Sequence, residues 1–287
     1  MVGQKNRLAI WVLIPTLIIF FVFHTFPLLQ GVFYSFTNFK GYGDWDFVGF
    51  RNYFNILQDT RLKNAYTFTL GFSVLSTVLV NIISIFIALG LNSKIKFRKS
   101  LRAIYFVPYM LGTLIIGYVF SFIFSKIVPE LGTALGIEIL QFNILGNPNL
   151  AWIGIVIVAV WQSVAFNTVL YLSGLVTIDE DLYEAADIDG ANAWTKFWNI
   201  TFPLIIPFFT INMVVAMKNF LMVFDQIVAL TGGGPGTTTE SISLLIYRGG
   251  FQGGQYAYQS ANAVVFFIII VAISLFQIRV LERKQEN

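Results

Sequence analysis

The chain has 287 residues, of which 56% are hydrophobic and only 11% charged, and its mean hydropathy is +0.73. A soluble domain carries about 25% charged residues, so lipid rather than water is the main solvent of this protein. The formal net charge of +3 is too small to argue for a nucleic-acid partner, and the absence of cysteine excludes disulfides and thiolate metal sites.

Six apolar runs are long enough to cross a hydrocarbon core, which takes about 20 residues of helix. They lie at roughly 8–30, 65–91, 103–124, 150–176, 203–230 and 257–279. The first begins after Lys5 and Arg7 and continues past Pro15 to Leu29 with no small-residue cleavage pattern, which predicts an uncleaved span. His24 inside it is the chain's only histidine. With no second imidazole to share a site it reads as structural or interfacial. Residues 37–64 follow, with Phe39, Tyr42, Trp45, Phe47, Phe50, Tyr53 and Phe54 among polar groups, a composition suited to the membrane–water interface. The second and third runs are separated by the basic stretch 92–102, the fourth and fifth by the polar stretch 177–202. The fifth ends in Leu230-Thr231-Gly232-Gly233-Gly234-Pro235, a helix stop and tight turn, since Gly accepts positive φ and Pro cannot continue a helix. Only helices satisfy their own backbone in lipid without closing into a barrel, and these runs are too long and too uniformly apolar for barrel strands. The expected fold class is an all-α polytopic membrane protein with six transmembrane helices in a single domain over 8–281.

Basic residues set the orientation. Lys5, Arg7, Lys94, Lys96, Arg98, Lys99, Arg102, Lys196, Arg279, Arg283 and Lys284 fall on one side, and Lys40, Arg51, Arg61, Lys63, Lys126 and Arg248 on the other. Both termini and the stretches 92–102 and 177–202 are therefore expected in the cytoplasm.

Within 177–202, Thr177 or Asp179 can cap a short helix, and Asp179, Glu180 and Asp181 suit its positive end. Ala185 and Ala186 form helix with little bulk, so another surface can approach closely. Gly190 lets the chain reverse. A second amphipathic turn with Trp194, Phe197 and Trp198 is expected to seat the loop against the bundle, and Pro203 to open the fifth span. Inside the spans the candidate functional groups are Asn81, Gln162, Asn167, Asn212, Lys218, Asn219, Asp225, Gln226, Gln259 and Asn262, each weighed against the role of an amide as interhelical glue. Lys218 and Asp225, seven residues apart, are expected on one helical face as a structural pair, with proton coupling the alternative.

The spacing Glu184-Ala185-Ala186, three residues, Gly190, nine residues, Ile200, two residues, Pro203 resembles the "EAA loop" of ABC importer permeases. The fit departs only at Phe202, where the family usually has Leu. Phe47-Val48-Gly49-Phe50-Arg51-Asn52-Tyr53 and the Leu230–Pro235 run are similar to segments of that family's binding-protein-dependent, sugar-type (maltose-permease-like) branch, and the likeness covers about 8–281. It implies that Tyr183, Glu184, Ala185, Ala186, Asp187, Asp189 and Gly190 form a coupling helix gripped by a cytoplasmic ATPase dimer. It also implies a second homologous permease subunit, an extracytoplasmic solute-binding protein and a carbohydrate or related polyol as cargo. Ala159, Gln162, Ser163, Phe166, Ala216, Asn219, Phe220 and Val223 align with the family's sugar-facing positions, and Gln162, Phe166, Asn219 and Phe220 are the chosen substrate-path residues.

No G-x-x-x-x-G-K-[ST] phosphate loop is present. ATP and Mg are thus expected on the partner ATPase, with no cofactor, metal or catalytic residue in this chain. An ion-coupled secondary carrier is the alternative; it would call for more intramembrane carboxylates and inverted repeats. A membrane enzyme is rejected because His, Cys and paired carboxylates are too sparse in the spans.

Overall fold

The computed structural model describes Trp11, residues 13–93 and residues 96–282. Lys5, Arg7, Leu8, Lys94, Arg283 and Lys284, used above for the first span and the basic faces, lie outside the described residues. In chain order the helices are α1 (Leu13–Tyr34), α2 (Arg51–Gln58), α3 (Thr60–Asn92), α4 (Arg98–Met110), α5 (Thr113–Leu135), α6 (Ala151–Leu175), α7 (Glu180–Ile188), α8 (Ala193–Leu221), α9 (Asp225–Leu230), α10 (Ile242–Tyr247) and α11 (Tyr256–Glu282). Of these, α1, α3, α5, α6, α8 and α11 are long and apolar enough to cross a membrane.

Two of the expected spans differ from the sequence reading. The run 103–124 is broken at Leu111 and Gly112, whose ψ angles of 141° and 130° are extended. Pro108 and Gly112 weaken the helix there, so the third span is α5 and α4 is a separate helix. The run 203–230 is broken after Leu221, with Phe224 at φ −138°, ψ −62°. Ser241 Oγ donates to the freed Val223 carbonyl at 2.9 Å. Lys218 and Asp225 consequently belong to different helices, and the shared face expected of them does not exist. The fifth span also starts earlier than expected, at Ala193, so Pro203 lies inside it.

Three spans widen in the same way. A π-turn covers Phe21–Thr25 before Pro27, Ile123–Ile127 before Pro129 and Phe197–Thr201 before Pro203. Proline has no N–H to return to the carbonyl four residues back, and its ring crowds that carbonyl. Lengthening the ladder locally relieves both problems while the helix continues.

The chain forms two compact units. One comprises the described residues up to Thr60 with Leu245–Ile268. Here α1 buries none of its membrane-spanning window. The segment after it is pinned by Asn52, which donates to the carbonyls of Ser35 and Thr37 at 2.8 Å each. Tyr258 OH donates to Asp59 at 2.9 Å.

The other unit comprises Arg61–Leu244 and the residues from Ile269 on. Its most buried span is α6, where Ala151, Ile155, Val158, Ala159 and Tyr171 are fully enclosed. Small residues let backbones approach, as expected where lipid removes the hydrophobic drive between helices. A Cβ on Gly174 would stand 2.6 Å from the Phe208 ring of α8, and one on Gly117 of α5 would collide with Ala229 of α9. Amides join the spans. Tyr171 OH donates to Asn81 Oδ1 at 2.5 Å, Asn81 Nδ2 donates to Thr77 O, and Asn212 Nδ2 donates to Asn167 O. Asn81 and Asn212, both buried, thus act as glue between α3, α6 and α8, while the Asn167 amide turns back onto Ser163 O of its own helix.

Candidate functional site

The polar stretch between the fourth and fifth spans forms α7. Asp179 caps it, its carboxylate accepting from Asp181 N at 3.2 Å, and Glu180 and Asp181 stand at the positive end of the helix. The far end closes with Gly190 at φ +75°, where Gly190 N reaches Asp187 O at 3.1 Å and Ala191 N reaches Ala186 O at 2.9 Å. This paired closure needs a left-handed residue just past the helix.

The two faces of α7 have separate tasks. Tyr183 is half-buried, and its hydroxyl lies 2.8 Å from Thr201 Oγ1 in the π-turn of α8. Asp187 pairs with Lys196 in the first turn of α8. These two ties link α7 to the start of the fifth span, Tyr183 from a half-buried position and Asp187 from a side chain that stays 66% exposed; Ala186 is also half-buried. The opposite face presents Glu184, Ala185, Asp189 and Gly190 to solvent, with Leu182 at 45% and Ile188 at 87% exposure. Ile188 was missed in the sequence, although its position four residues after Glu184 puts it on the same face. The expectation for the aromatics of the next turn needs correction. Trp194 and Trp198 are exposed, and only Phe197 is half-buried.

At the helix breaks, Gln162 of α6 is the meeting point. Its Nε2 donates to Leu111 O at 3.2 Å and to Thr113 Oγ1 at 3.3 Å, and its Oε1 accepts from Gln226 Nε2 of α9 at 3.4 Å. One buried amide therefore serves the α4–α5 break and ties down the helix that follows the α8–α9 break. Phe166, half-buried, stacks on Tyr109 of α4 with ring centroids 5.1 Å apart. Asn219 is exposed near the end of α8. Phe220 is 4% exposed and packs edge-on against Phe72 of α3 in the core. Broken helices whose freed backbone groups are met by side chains occur within membranes only where they are enclosed by protein or line a path.

Sequence reading also gave no hint of the pair beyond α9. Glu240 is 1% exposed and accepts two bonds of 2.7 Å from Arg61 at the start of α3. In the same loop Gly232 and Gly233 have positive φ, and Thr231 and Thr239 share a hydroxyl bond of 2.8 Å. Among the described residues no cluster of three or more His, Asp or Glu could hold a metal ion.

Six spans, two of the apolar runs interrupted in mid-course, and an exposed acidic helix between the fourth and fifth spans define a multi-pass membrane permease. The chain is 41% identical over 268 residues to the multiple sugar-binding transport system permease protein MsmF of Streptococcus mutans, covering 93% of this chain and 92% of that protein. It is 34% identical to the trehalose/maltose transport system permease protein MalF of Thermococcus litoralis, over 96% of this chain and 94% of the relative. Its structure superposes on a chain of a bacterial ABC transporter involved in the import of the acidic polysaccharide alginate. The TM-score is 0.85 at 25% identity, with 98% of this chain and 96% of that chain covered. Residues 80–287 match the family described as "Binding-protein-dependent transport system inner membrane component", and the chain belongs to that family. It is thus an ABC-importer permease and a transport subunit rather than an enzyme. None of these proteins is named as an ion-coupled carrier.

Proposed function

We propose that this chain carries a carbohydrate or related polyol across the membrane as one of two permease subunits, with α7 the contact through which an ATPase dimer drives it. In this reading both termini, α7 and residues 92–102 face the cytoplasm, in keeping with the distribution of basic residues. ATP and Mg bind the ATPase, and an extracytoplasmic binding protein delivers the cargo. The observation that carries the reading is the division of α7 into an anchored face and an exposed one. Tyr183 and Asp187 tie the helix to α8, while Glu184, Ala185 and Ile188 stand free for another protein.

The carbohydrate assignment rests on relatives named for sugars and on the chemistry around Gln162. Amides suit hydroxyl edges, and the Phe166–Tyr109 stack offers an apolar ring face. Gln162, Phe166 and Asn219 are the wall residues of choice, and Phe220 backs the wall from the core.

The test is purification of the tagged chain from its membrane in mild detergent, alongside Glu184→Lys. The parent chain should bring down an ATPase and a second six-span permease. The charge-reversed chain should insert normally but lose the ATPase and sugar uptake. Normal uptake by Glu184→Lys would remove the coupling role.

A further inference from the structure

Helices α3, α4 and α6 leave a long cleft between them. Its inner part, of about 540 Å³, is walled by Leu79 and Ile83 of α3, Ile104 and Pro108 of α4, and Val160 and Trp161 of α6. Tyr105 lines this part and also an adjoining one of about 300 Å³, where Arg102, Thr168 and Ser173 replace much of the aliphatic wall. The cleft is therefore greasy toward mid-span and cationic and hydroxylated toward the helix ends that meet residues 92–102. Thr168 is 2% exposed, yet its Oγ1 has no hydrogen-bond partner among the described residues. Buried hydroxyls usually find a partner, and of the three that have none among the described residues, Ser76, Thr168 and Thr210, Thr168 is the one that lines this cleft.

Dimensions and charge narrow the class. From Thr168 to Val156, α6 rises about 18 Å at 1.5 Å per residue, close to the ~15 Å of hydrocarbon in one leaflet. Residues 92–102 carry Lys94, Lys96, Arg98, Lys99 and Arg102 with no acidic residue, and such clusters attract the anionic lipids of the cytoplasmic leaflet. An apolar protein helix docking in the cleft would fill the aliphatic part but would bring no anion to its Arg102 end. An ester-linked acyl chain meets both halves.

We propose that the cleft holds one anionic phospholipid of the cytoplasmic leaflet, its acyl chain along the Leu79–Trp161 wall and its glycerol ester and phosphate at Thr168 and Arg102. The leaflet assignment rests on the sidedness proposed above; the site itself rests on the cleft.

Trp161 supplies the probe. The transporter, purified with the subunits that accompany the chain, is placed in phosphatidylcholine nanodiscs containing either brominated phosphatidylglycerol or brominated phosphatidylcholine at equal fraction. Trp161 quenching is the difference between the parent and Trp161→Phe. Brominated phosphatidylglycerol should quench more strongly. Arg102→Gln should reduce that preference about fivefold, the factor corresponding to about 1 kcal/mol per basic side chain. Val160→Phe, which fills the cleft without touching a charge, should abolish it. Equal quenching by both lipids would overturn the site, leaving only bulk bilayer contact, and no quenching by either would overturn it by showing that protein covers the cleft. ATP-driven uptake is measured in parallel. Absent lipid preference in the parent with intact uptake sinks the lipid site alone, and preserved preference without ATP-driven uptake sinks the proposed transport and coupling role alone. Labelling of Lys96→Cys by an impermeant maleimide from outside the cell would overturn the leaflet assignment.

Discussion

Gly190→Ala is expected to loosen the end of α7 and lower ATP-driven uptake without unfolding the chain. Gly190 sits at φ +75°, and no heavy atom lies within 4 Å of where a Cβ would stand. Crowding therefore contributes nothing. The cost is the backbone strain of an L-residue in the left-handed region, roughly 1–2 kcal/mol. That corresponds to about a 5- to 30-fold loss in the ratio of closed to frayed ends. Asn, whose short side chain tolerates this region, should lose less than Ala, and β-branched Val should lose more. The Tyr183–Thr201 bond lies before the turn, whereas Asp187 takes part in it through its carbonyl, so Tyr183 should keep the body of α7 in place. Hydrogen exchange at the Gly190 and Ala191 amides, which close the turn, reads the strain directly, and proteoliposome uptake reads its consequence. Wild-type protection in Gly190→Ala, or an Asn variant worse than Ala, would refute the strain argument.

Ile188→Asp replaces the most exposed apolar side chain of α7 and should weaken ATPase co-purification while α7 keeps its helical exchange protection; undiminished capture would show that this face is not the contact. Arg61→Met breaks a bidentate pair to a carboxylate that is 1% exposed. The cost should be about 2–3 kcal/mol, below the usual figure for a buried pair because Arg61 is 55% exposed and partly screened. The double variant with Glu240→Gln should recover most of the lost melting temperature in detergent, and equal melting of single and double variants would deny the pair its role. Gln162→Ala frees the Leu111 carbonyl at the α4–α5 break, which should cost about 1–3 kcal/mol and also change sugar affinity. Altered affinity with unchanged melting would mean that the amide serves substrate and not the break.

The spans were legible because hydropathy over a whole helix is a sum that no single residue can hide. The α4–α5 break was legible in principle, since Pro108 and Gly112 lie in an apolar run, but the uniform hydropathy of 103–124 masked it. The α8–α9 break was not legible. Leu221-Met222-Val223-Phe224 contains no breaker, and what stabilises it is Ser241, which takes the Val223 carbonyl from 18 positions away in sequence. The Arg61–Glu240 pair is hidden for the same reason, its partners being 179 positions apart. On α7 the sequence showed the cap, the acidic first turn and Gly190, all of which are local. It could not show which side turns inward, because that depends on Thr201 and Lys196 of the next helix.

The same geometry suggests how α7 and the candidate path are joined. Both ties of α7 land on the first turns of α8, at Lys196 and Thr201. From Thr201 to Leu221 α8 is continuous helix, about 30 Å at 1.5 Å per residue, stiff enough to transmit a displacement of its near end. At Leu221 the rod stops. Beyond it α9 is held elsewhere, Ala229 against Gly117 of α5 and Gln226 against Gln162 of α6. Under the coupling role proposed above, a pull on α7 would reach the end of α8, beside Asn219, without being carried rigidly into α9. Had α8 and α9 formed the single helix expected from the sequence, the same pull would have dragged α9 across Gly117, where no room exists for even one added methyl group. With the break, one end of the fifth span could shift under that coupling without forcing a change in the packing around Gln162.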